Sequence, residues 1–317
     1  MIGKRKIVLV GTGFVGMSMA YSLLNQGGIN ELVLIDVLKD KAVGEAMDLA
    51  HGIPCAPSRI NIKAGDYDEC KDADIVVITA GLSQKPGQTR LDLATQNAKI
   101  MKDITQNVVK NGFKGIFLIA SNPVDLMTYV VEQVSGFPTS RVIGSGTVLD
   151  TARLRYLIGE YLHVSSKNVH AYIMGEHGDS SFVPWSRAYV GCKKMTDIMK
   201  DNGHPMEDLE KIYTDVQQAA YEIINRKKAT YYGIGLGLTK IIKAILNDEN
   251  EIQTVSTYLN GEYGQKGMFI GVPAIINAEG AREILEIKLS EEEKKKFDHS
   301  CSVLREMKTE IDKAIAD

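Results

Sequence analysis

A histidine set between glycines, in Gly175-Glu176-His177-Gly178-Asp179, is the group in this sequence best suited to moving a proton near neutral pH. An imidazolium enclosed in a protein needs a carboxylate to orient it and stabilise its charge. Asp150, in the run Asp150-Thr151-Ala152-Arg153-Leu154-Arg155, is the candidate partner. Arg153 follows three residues later on the same helical face, where its guanidinium can hold a carboxylate through two parallel hydrogen bonds. Taken alone, Asp150 and Arg153 read as an ordinary ion pair on a helix surface. With His177 they become a set able to bind an acid and protonate it. Arg155 is rotated by about 200° around the helix from Arg153, so it must do something else.

A second set handles a nucleotide. The apolar run KIVLV leads directly into Gly11-Thr12-Gly13-Phe14-Val15-Gly16, a G-x-G-x-x-G pattern followed by a helix. Gly11 allows a tight turn, Gly13 a close approach of backbone to a pyrophosphate, and Gly16 close packing of helix on strand. The free N–H groups of the helix start then face the phosphates. Asp36 stands 20 residues past Gly16 at the end of the next strand, where its carboxylate can accept hydrogen bonds from ribose hydroxyls and repel a 2′-phosphate. This favours NAD over NADP. Thr79-Ala80-Gly81 and Ser121-Asn122-Pro123 close two further strands, and ligands of open α/β sheets sit at such carboxyl ends. Asn122 can hydrogen-bond the nicotinamide side of the cofactor.

The segment from Gly81, GLSQKPGQTRLDL, is polar, contains Pro86 and Gly87, and joins a strand to a helix. Such a segment suits a lid over an active site. Arg90 could swing in with it to polarise a substrate carbonyl, and Gln84 could line the pocket.

These residues need a scaffold, and the alternation of apolar runs with amphipathic stretches supplies one. Strands are expected at 6–10, 32–37, 60–64, 74–80, 115–121 and 141–144, with helices at 15–26, 40–51, 91–111 and 123–135. Beyond about residue 146 the rhythm changes. A helix at 148–162, short strands around 168–174, a long helical region from 207 to about 246, a β-rich patch at 252–275 and a final helix at 291–315 follow. The final helix carries Phe297, Cys301, Leu304, Met307, Ile311 and Ile315 on one buried face. Its initial EEEKKK run reads as solvated. The expected fold is α/β: a Rossmann-type doubly wound parallel sheet over 1–146, which binds NAD, followed by an α+β substrate-binding and catalytic domain over 147–317.

The chain has 317 residues, 44% hydrophobic and 24% charged, with a net charge of −3. That balance gives no electrostatic support to a nucleic-acid or anionic-membrane role. No apolar stretch approaches the ~20 residues that cross a bilayer, and the N-terminal sequence leaves no room for a signal peptide, so a cytoplasmic location is expected. The four cysteines are scattered without a CxxC pair, which suggests free thiols and no metal site.

GTGFVG with Asp36, QKPGQTR, Ser121-Asn122-Pro123, DTARLR and GEHGD together resemble the L-lactate/L-malate dehydrogenase family, and more closely its NAD-dependent L-lactate dehydrogenase branch. The resemblance covers essentially the whole chain. It implies His177 as proton donor and acceptor, Asp150 as its partner, Arg153 as the carboxylate clamp and Arg90 as the loop arginine that polarises the carbonyl. It also implies Thr230, in KATYYGIG, as a substrate-pocket residue and Ile234 as the apolar neighbour of the nicotinamide. In malate enzymes an arginine stands at the place of Gln84 and pairs with the second carboxylate of oxaloacetate. Glutamine would leave that buried charge uncompensated, at a cost of several kcal/mol, so pyruvate and L-lactate are the expected substrates. Arg155 and His170 match the pair that binds fructose 1,6-bisphosphate across a subunit interface in allosteric bacterial members, and the branch usually forms homotetramers. The order SSFVPWSRA after GEHGD departs from the family's commoner one and leaves the packing around Trp185 open.

Overall fold

The computed structural model describes residues 4–82 and 90–316, and the side chain of Arg90 is not among what is described. The six expected strands form at Lys6–Val10 (β1), Glu31–Ile35 (β2), Asn61–Ala64 (β3), Ile75–Ile78 (β4), Ile116–Ile119 (β5) and Val142–Gly144 (β6). Between them run Phe14–Gln26 (α1), Lys39–His51 (α2), Arg90–Lys110 (α3) and Val124–Ser135 (α4). All six strands are parallel, in the order β6-β5-β4-β1-β2-β3. The strand order reverses between β1 and β4, which is where doubly wound sheets hold nucleotides.

The second half begins with Val148–Leu162 (α5), then the short strands Val169–His170 (β7), Tyr189–Val190 (β8) and Lys193–Lys194 (β9), which form their own small sheet. Met195–Asp201 (α6), Glu207–Lys227 (α7) and Tyr232–Leu246 (α8) follow. The single helical region expected over 207–246 is therefore two helices. Lys228 adopts φ +72°, which ends α7, and residues 229–231 separate it from α8. The β-rich patch is larger than expected: Glu251–Asn260 (β10), Lys266–Asn277 (β11) and Gly280–Ile284 (β12). These strands pair antiparallel and join β6 through Ser256 and Gly144, so one nine-stranded sheet runs through both halves. A Cβ on Gly144 would lie 2.3 Å from Thr128 Oγ1 and 2.7 Å from Ser256 Cβ, which shows how close this seam is.

The parallel strands are apolar on both faces because helices cover both. One cluster contains Val8, Val33, Val76 and Phe117 with the faces of α3 and α4 and of Glu291–Ala316 (α9); the other contains Ile7, Leu9 and Leu34 with α1, α2 and α8. Phe297, Cys301, Leu304 and Ile311 of α9 are buried, with Met307 and Ile315 at the margin.

The EEEKKK run is not wholly solvated. Glu293 is 8% exposed, and its carboxylate accepts hydrogen bonds from Ser186 N (2.9 Å), Ser186 Oγ (2.7 Å) and Ser290 N (2.8 Å). Ser290 Oγ in turn accepts from Glu293 N at 3.2 Å. Ser290-x-x-Glu293 is thus a capping box that also ties α9 to the Trp185 segment. Burial alone would push the Glu293 carboxyl up, but these donors hold it below the ordinary glutamate value. Glu293→Ala is expected to cost about 1–3 kcal/mol in denaturant unfolding. Because the folded-state carboxyl is depressed, the penalty of the variant shrinks as pH falls through that depressed value; a penalty that stays constant down to low pH would contradict it.

Candidate active site

The nucleotide cradle forms where β1 and β4 diverge. Gly11 has φ +104°, and a Cβ there would stand 2.6 Å from Ala80 N. Thr79 N donates to Val10 O at 2.9 Å and Thr79 Oγ1 to Gly11 O at 2.8 Å, so the ends of both strands close on the turn. A Cβ on Gly16 would lie 2.3 Å from Gly11 O, which holds α1 against the strand. Gly13, at the start of α1, would meet nothing within 4 Å. The three glycines therefore do different work, and the open one lies where a pyrophosphate would reach the helix N-terminus. These features fit a dinucleotide.

Just past β2, Asp36 accepts from Thr12 N (2.7 Å), Thr12 Oγ1 (2.8 Å) and Leu38 N (2.9 Å). Burial alone would raise its carboxyl, but the N–H donors of Leu38 and Thr12, the Thr12 hydroxyl and the nearby Lys41 charge hold it below the ordinary aspartate value. Phe14 is exposed and stacks on Tyr231 with ring centroids 5.1 Å apart. Val15 and Ile234 lie at the margin of the same apolar cluster. The nucleotide loop and the Thr230–Ile234 segment are thereby neighbours. A Cβ on Gly235 would be 2.7 Å from Ser18 Cβ, so α8 sits directly on α1.

The chemical group comes together from two elements. His177 Nδ1 lies 2.7 Å from Asp150 Oδ2, and Arg153 Nη1 donates to Asp150 Oδ1 at 3.1 Å. Asp150 and Arg153 come from the first two turns of α5, and His177 from the loop after β7. Gly175, at φ +103°, opens that loop and exchanges backbone hydrogen bonds with Gly271 of β11. The His177 side chain keeps 29% of its surface, against 16% for Asp150, so one side of the ring remains reachable. Burial alone would lower the imidazole's pKa; the Asp150 charge and hydrogen bond, together with Asp125, outweigh burial and raise it above the ordinary histidine value. Asp150 is pushed up by burial and pulled down further by His177 and Arg153, so it ends below the ordinary range.

Sequence reasoning missed Asp125. It lies buried in α4, accepts from His177 N at 2.8 Å and from Ser256 Oγ at 2.5 Å, and burial pushes its carboxyl up to about 6. The signal was there: a lone acid in the otherwise apolar run VDLMTYVV. Asn97 was missed as well. Its Oδ1 accepts from Leu82 N (2.8 Å) and its Nδ2 donates to Asn122 O (2.8 Å), joining two strand-end segments. Ser121 Oγ donates to Ala80 O at 2.5 Å, and the Asn122–Pro123 peptide is cis. Gly81 sits beside the Asn97 amide.

Gln84 lies outside the described residues, as does the Arg90 side chain. Arg155 is directed away from Arg153: its Nε donates to Ala171 O at 3.0 Å and its guanidinium lies over the Tyr172 ring. His170, beside Ala171, is exposed on β7 and pairs with Tyr189. The Trp185 segment forms a single 3-10 turn, and the indole Nε1 donates to Glu210.

A dinucleotide cradle and a histidine–aspartate pair in one chain point to an NAD-dependent oxidoreductase. Residues 5–144 match the lactate/malate dehydrogenase NAD-binding domain, and residues 147–315 match the lactate/malate dehydrogenase alpha/beta C-terminal domain. The chain belongs to the lactate/malate dehydrogenase family, and NAD is its cofactor. It is 57% identical to L-lactate dehydrogenase 1 of Bacillus cereus over 305 residues, covering 96% of this chain and 97% of the relative. A lactate dehydrogenase from a Medee basin deep-sea metagenome library superposes with a TM-score of 0.96 at 53% identity, over 98% of this chain and 100% of the other. The minor L-lactate dehydrogenase of Enterococcus mundtii, in its ligands-bound form, superposes at 0.95 with 51% identity, over 96% and 98%.

Two carboxylates act on one imidazole, and this can be tested directly. Asp125→Asn removes one negative charge beside His177 and is expected to lower the imidazole's pKa in an NMR titration. An unchanged or raised value would show that Asp125 only anchors the loop.

Proposed function

We propose that this protein is an L-lactate dehydrogenase that interconverts pyruvate and L-lactate. The observation that carries the reading is the Asp150–His177 contact at 2.7 Å, with Arg153 on the other oxygen of the same carboxylate. The similarity to enzymes bearing the L-lactate dehydrogenase name supports it. In this reading residues 1–146 hold the cofactor and 147–317 hold the substrate and the proton.

When bound, NADH supplies the hydride. The turn built by Gly11, Gly13, Phe14, Val15 and Gly16 would hold its pyrophosphate end, with Gly13 the open position, and Asp36 would accept from its ribose. Thr79, Ala80, Gly81, Asn122 and Ile234 would line its nicotinamide side. Arg153 leaves part of its contact with Asp150 to clamp the substrate carboxylate with two hydrogen bonds. Protonated His177 donates its Nε2 proton to the carbonyl oxygen as that oxygen gains charge, and Asp150, on Nδ1, keeps the ring oriented. Arg90 polarises the same oxygen, Thr230 lines the pocket, and Gln84 meets the methyl end of pyruvate. In lactate oxidation neutral His177 takes the hydroxyl proton back. Because the imidazole's pKa is raised, the protonated form persists to higher pH. Pyruvate reduction therefore falls as pH rises through that value, while lactate oxidation rises.

Arg155 and His170 provide nitrogen donors for the phosphates of fructose 1,6-bisphosphate, and their adjacency around Ala171 supports that assignment. Exposed Tyr21, Val43, Met47, Tyr156 and Leu236 leave apolar surface that subunits of a homotetramer would cover. The protein works in the cytoplasm. Among the described residues no helix is long and apolar enough to cross a membrane.

Oxidation of NADH at 340 nm over pyruvate and oxaloacetate series, each with and without fructose 1,6-bisphosphate, tests the whole reading. Pyruvate is expected to be preferred and its saturation curve to sharpen with the bisphosphate. A preference for oxaloacetate overturns the substrate assignment, and identical curves with and without bisphosphate remove the effector. Gln84→Arg is expected to reverse the preference, since it supplies the charge that a second carboxylate needs; an unchanged ratio of kcat/KM values would take Gln84 out of the pocket. Activity should survive EDTA.

A further inference from the structure

Asp36 has more hydrogen bonds than a simple ribose acceptor requires. Three donors already occupy it before any cofactor binds: Thr12 N and Thr12 Oγ1 both on Oδ2, and Leu38 N on Oδ1. A carboxylate offers about four acceptor positions, so roughly one is left, and it is on Oδ1. Thr12 is 1% exposed, and its hydroxyl has a single partner among the described residues, the Asp36 carboxylate. The backbone at Thr12 is fixed in turn by Lys41, whose ammonium donates to Thr12 O at 2.6 Å.

This arrangement places a cation close to Asp36, because Lys41 binds the carbonyl of the residue whose N–H and hydroxyl hold that carboxylate. Lys41 is the charge that acts on Asp36, and an ammonium there would by itself attract a phosphate. Discrimination against a 2′-phosphate therefore depends on the Asp36 carboxylate staying ionised and in place beside that cation. Asp36 alone does not guarantee that, because an unrestrained aspartate side chain can turn about two torsions. The Thr12 hydroxyl is the side-chain donor that, with the N–H groups of Thr12 and Leu38, opposes the turn and favours the ionised form.

We propose that Thr12 is a specificity-determining positioning residue: its buried hydroxyl locks the Asp36 carboxylate so that Oδ1 takes one ribose hydroxyl and the 2′-phosphate of NADP is refused. The proposal rests on the reading of Asp36 as the ribose acceptor. It extends that reading from the acid to the residue that holds it.

The test is equilibrium binding of NADH and NADPH to the full-length protein, followed by cofactor fluorescence, for Thr12→Val, Thr12→Ser, Thr12→Ala and Asp36→Ser. Valine keeps the shape of threonine without the hydroxyl. The ratio of the NADPH Kd to the NADH Kd is expected to fall roughly tenfold in Thr12→Val, the size of one hydrogen bond to a charged group, and to return with Thr12→Ser. Thr12→Ala repeats the loss of hydroxyl should the valine variant fail to fold. Equal weakening of both cofactors in Thr12→Val or Thr12→Ala, or an unchanged ratio alongside a collapse in Asp36→Ser, overturns the role of Thr12 while leaving Asp36 as acceptor. A ratio unchanged in Asp36→Ser overturns the acceptor reading, and the proposal falls with it.

Discussion

A histidine held between two carboxylates, one on its ring and one on its backbone N–H, each from a different helix, is the constraint around which this molecule is organised. Asp150 on α5 contacts the His177 ring, and Asp125 on α4 receives the backbone N–H of the same residue. Enclosure alone would drive the proton off the ring; two nearby negative charges keep it on. Satisfying both contacts forces α4, α5 and the Gly175–Asp179 loop to converge, and the seam of the sheet makes that convergence possible. Gly144 lets Ser256 approach, and Ser256 Oγ then reaches Asp125. A methyl group on Gly144 would separate the two halves and leave Asp125 buried with one donor fewer.

The nucleotide cradle follows the same rule of charge held by fixed donors. Asp36 stays ionised because N–H and O–H groups and Lys41 outweigh its partial burial. The difference between Asp36 and Asp125 is one of environment. Asp125 is fully enclosed, and burial pushes its carboxyl up to about 6 against the donors that pull it down, so its charge answers to changes around it. Asp36 has a solvated side and three donors, and its charge is secure. One carboxylate is suited to fixed recognition of a sugar, the other to tuning a neighbouring acid.

Much of this was legible in the residue order. The six parallel strands and the helices between them fall within a few residues of expectation, because β-branched runs bounded by glycine and helices with an apolar stripe carry their own signal. Asp150, Arg153 and His177 could be grouped because proton transfer and carboxylate binding each demand a residue type. Where expectation failed, tertiary contacts had overruled local pattern. The region 207–246 keeps a helical period throughout, yet Lys228 turns left-handed and divides it, which frees Thr230 and Tyr231 from a helix. Glu293 sits in a run of six charged residues and is nonetheless buried, since Ser186, distant in sequence, supplies two of its donors.

The sequence by itself determined the class of the fold, the dinucleotide motif and the residue types of the chemistry, because each depends on local period or on a functional group that few residues possess. Only the tertiary structure decided that β10 joins β6 to make one sheet of both halves, that Asp125 and Asn97 brace the site, and that Thr12 holds Asp36. Those contacts join residues from 24 positions apart, Thr12 and Asp36, to 112 apart, Gly144 and Ser256. Nothing in local spacing encodes such pairings; they exist because the sheet, once closed on both faces, leaves each buried polar group one place to find its partner.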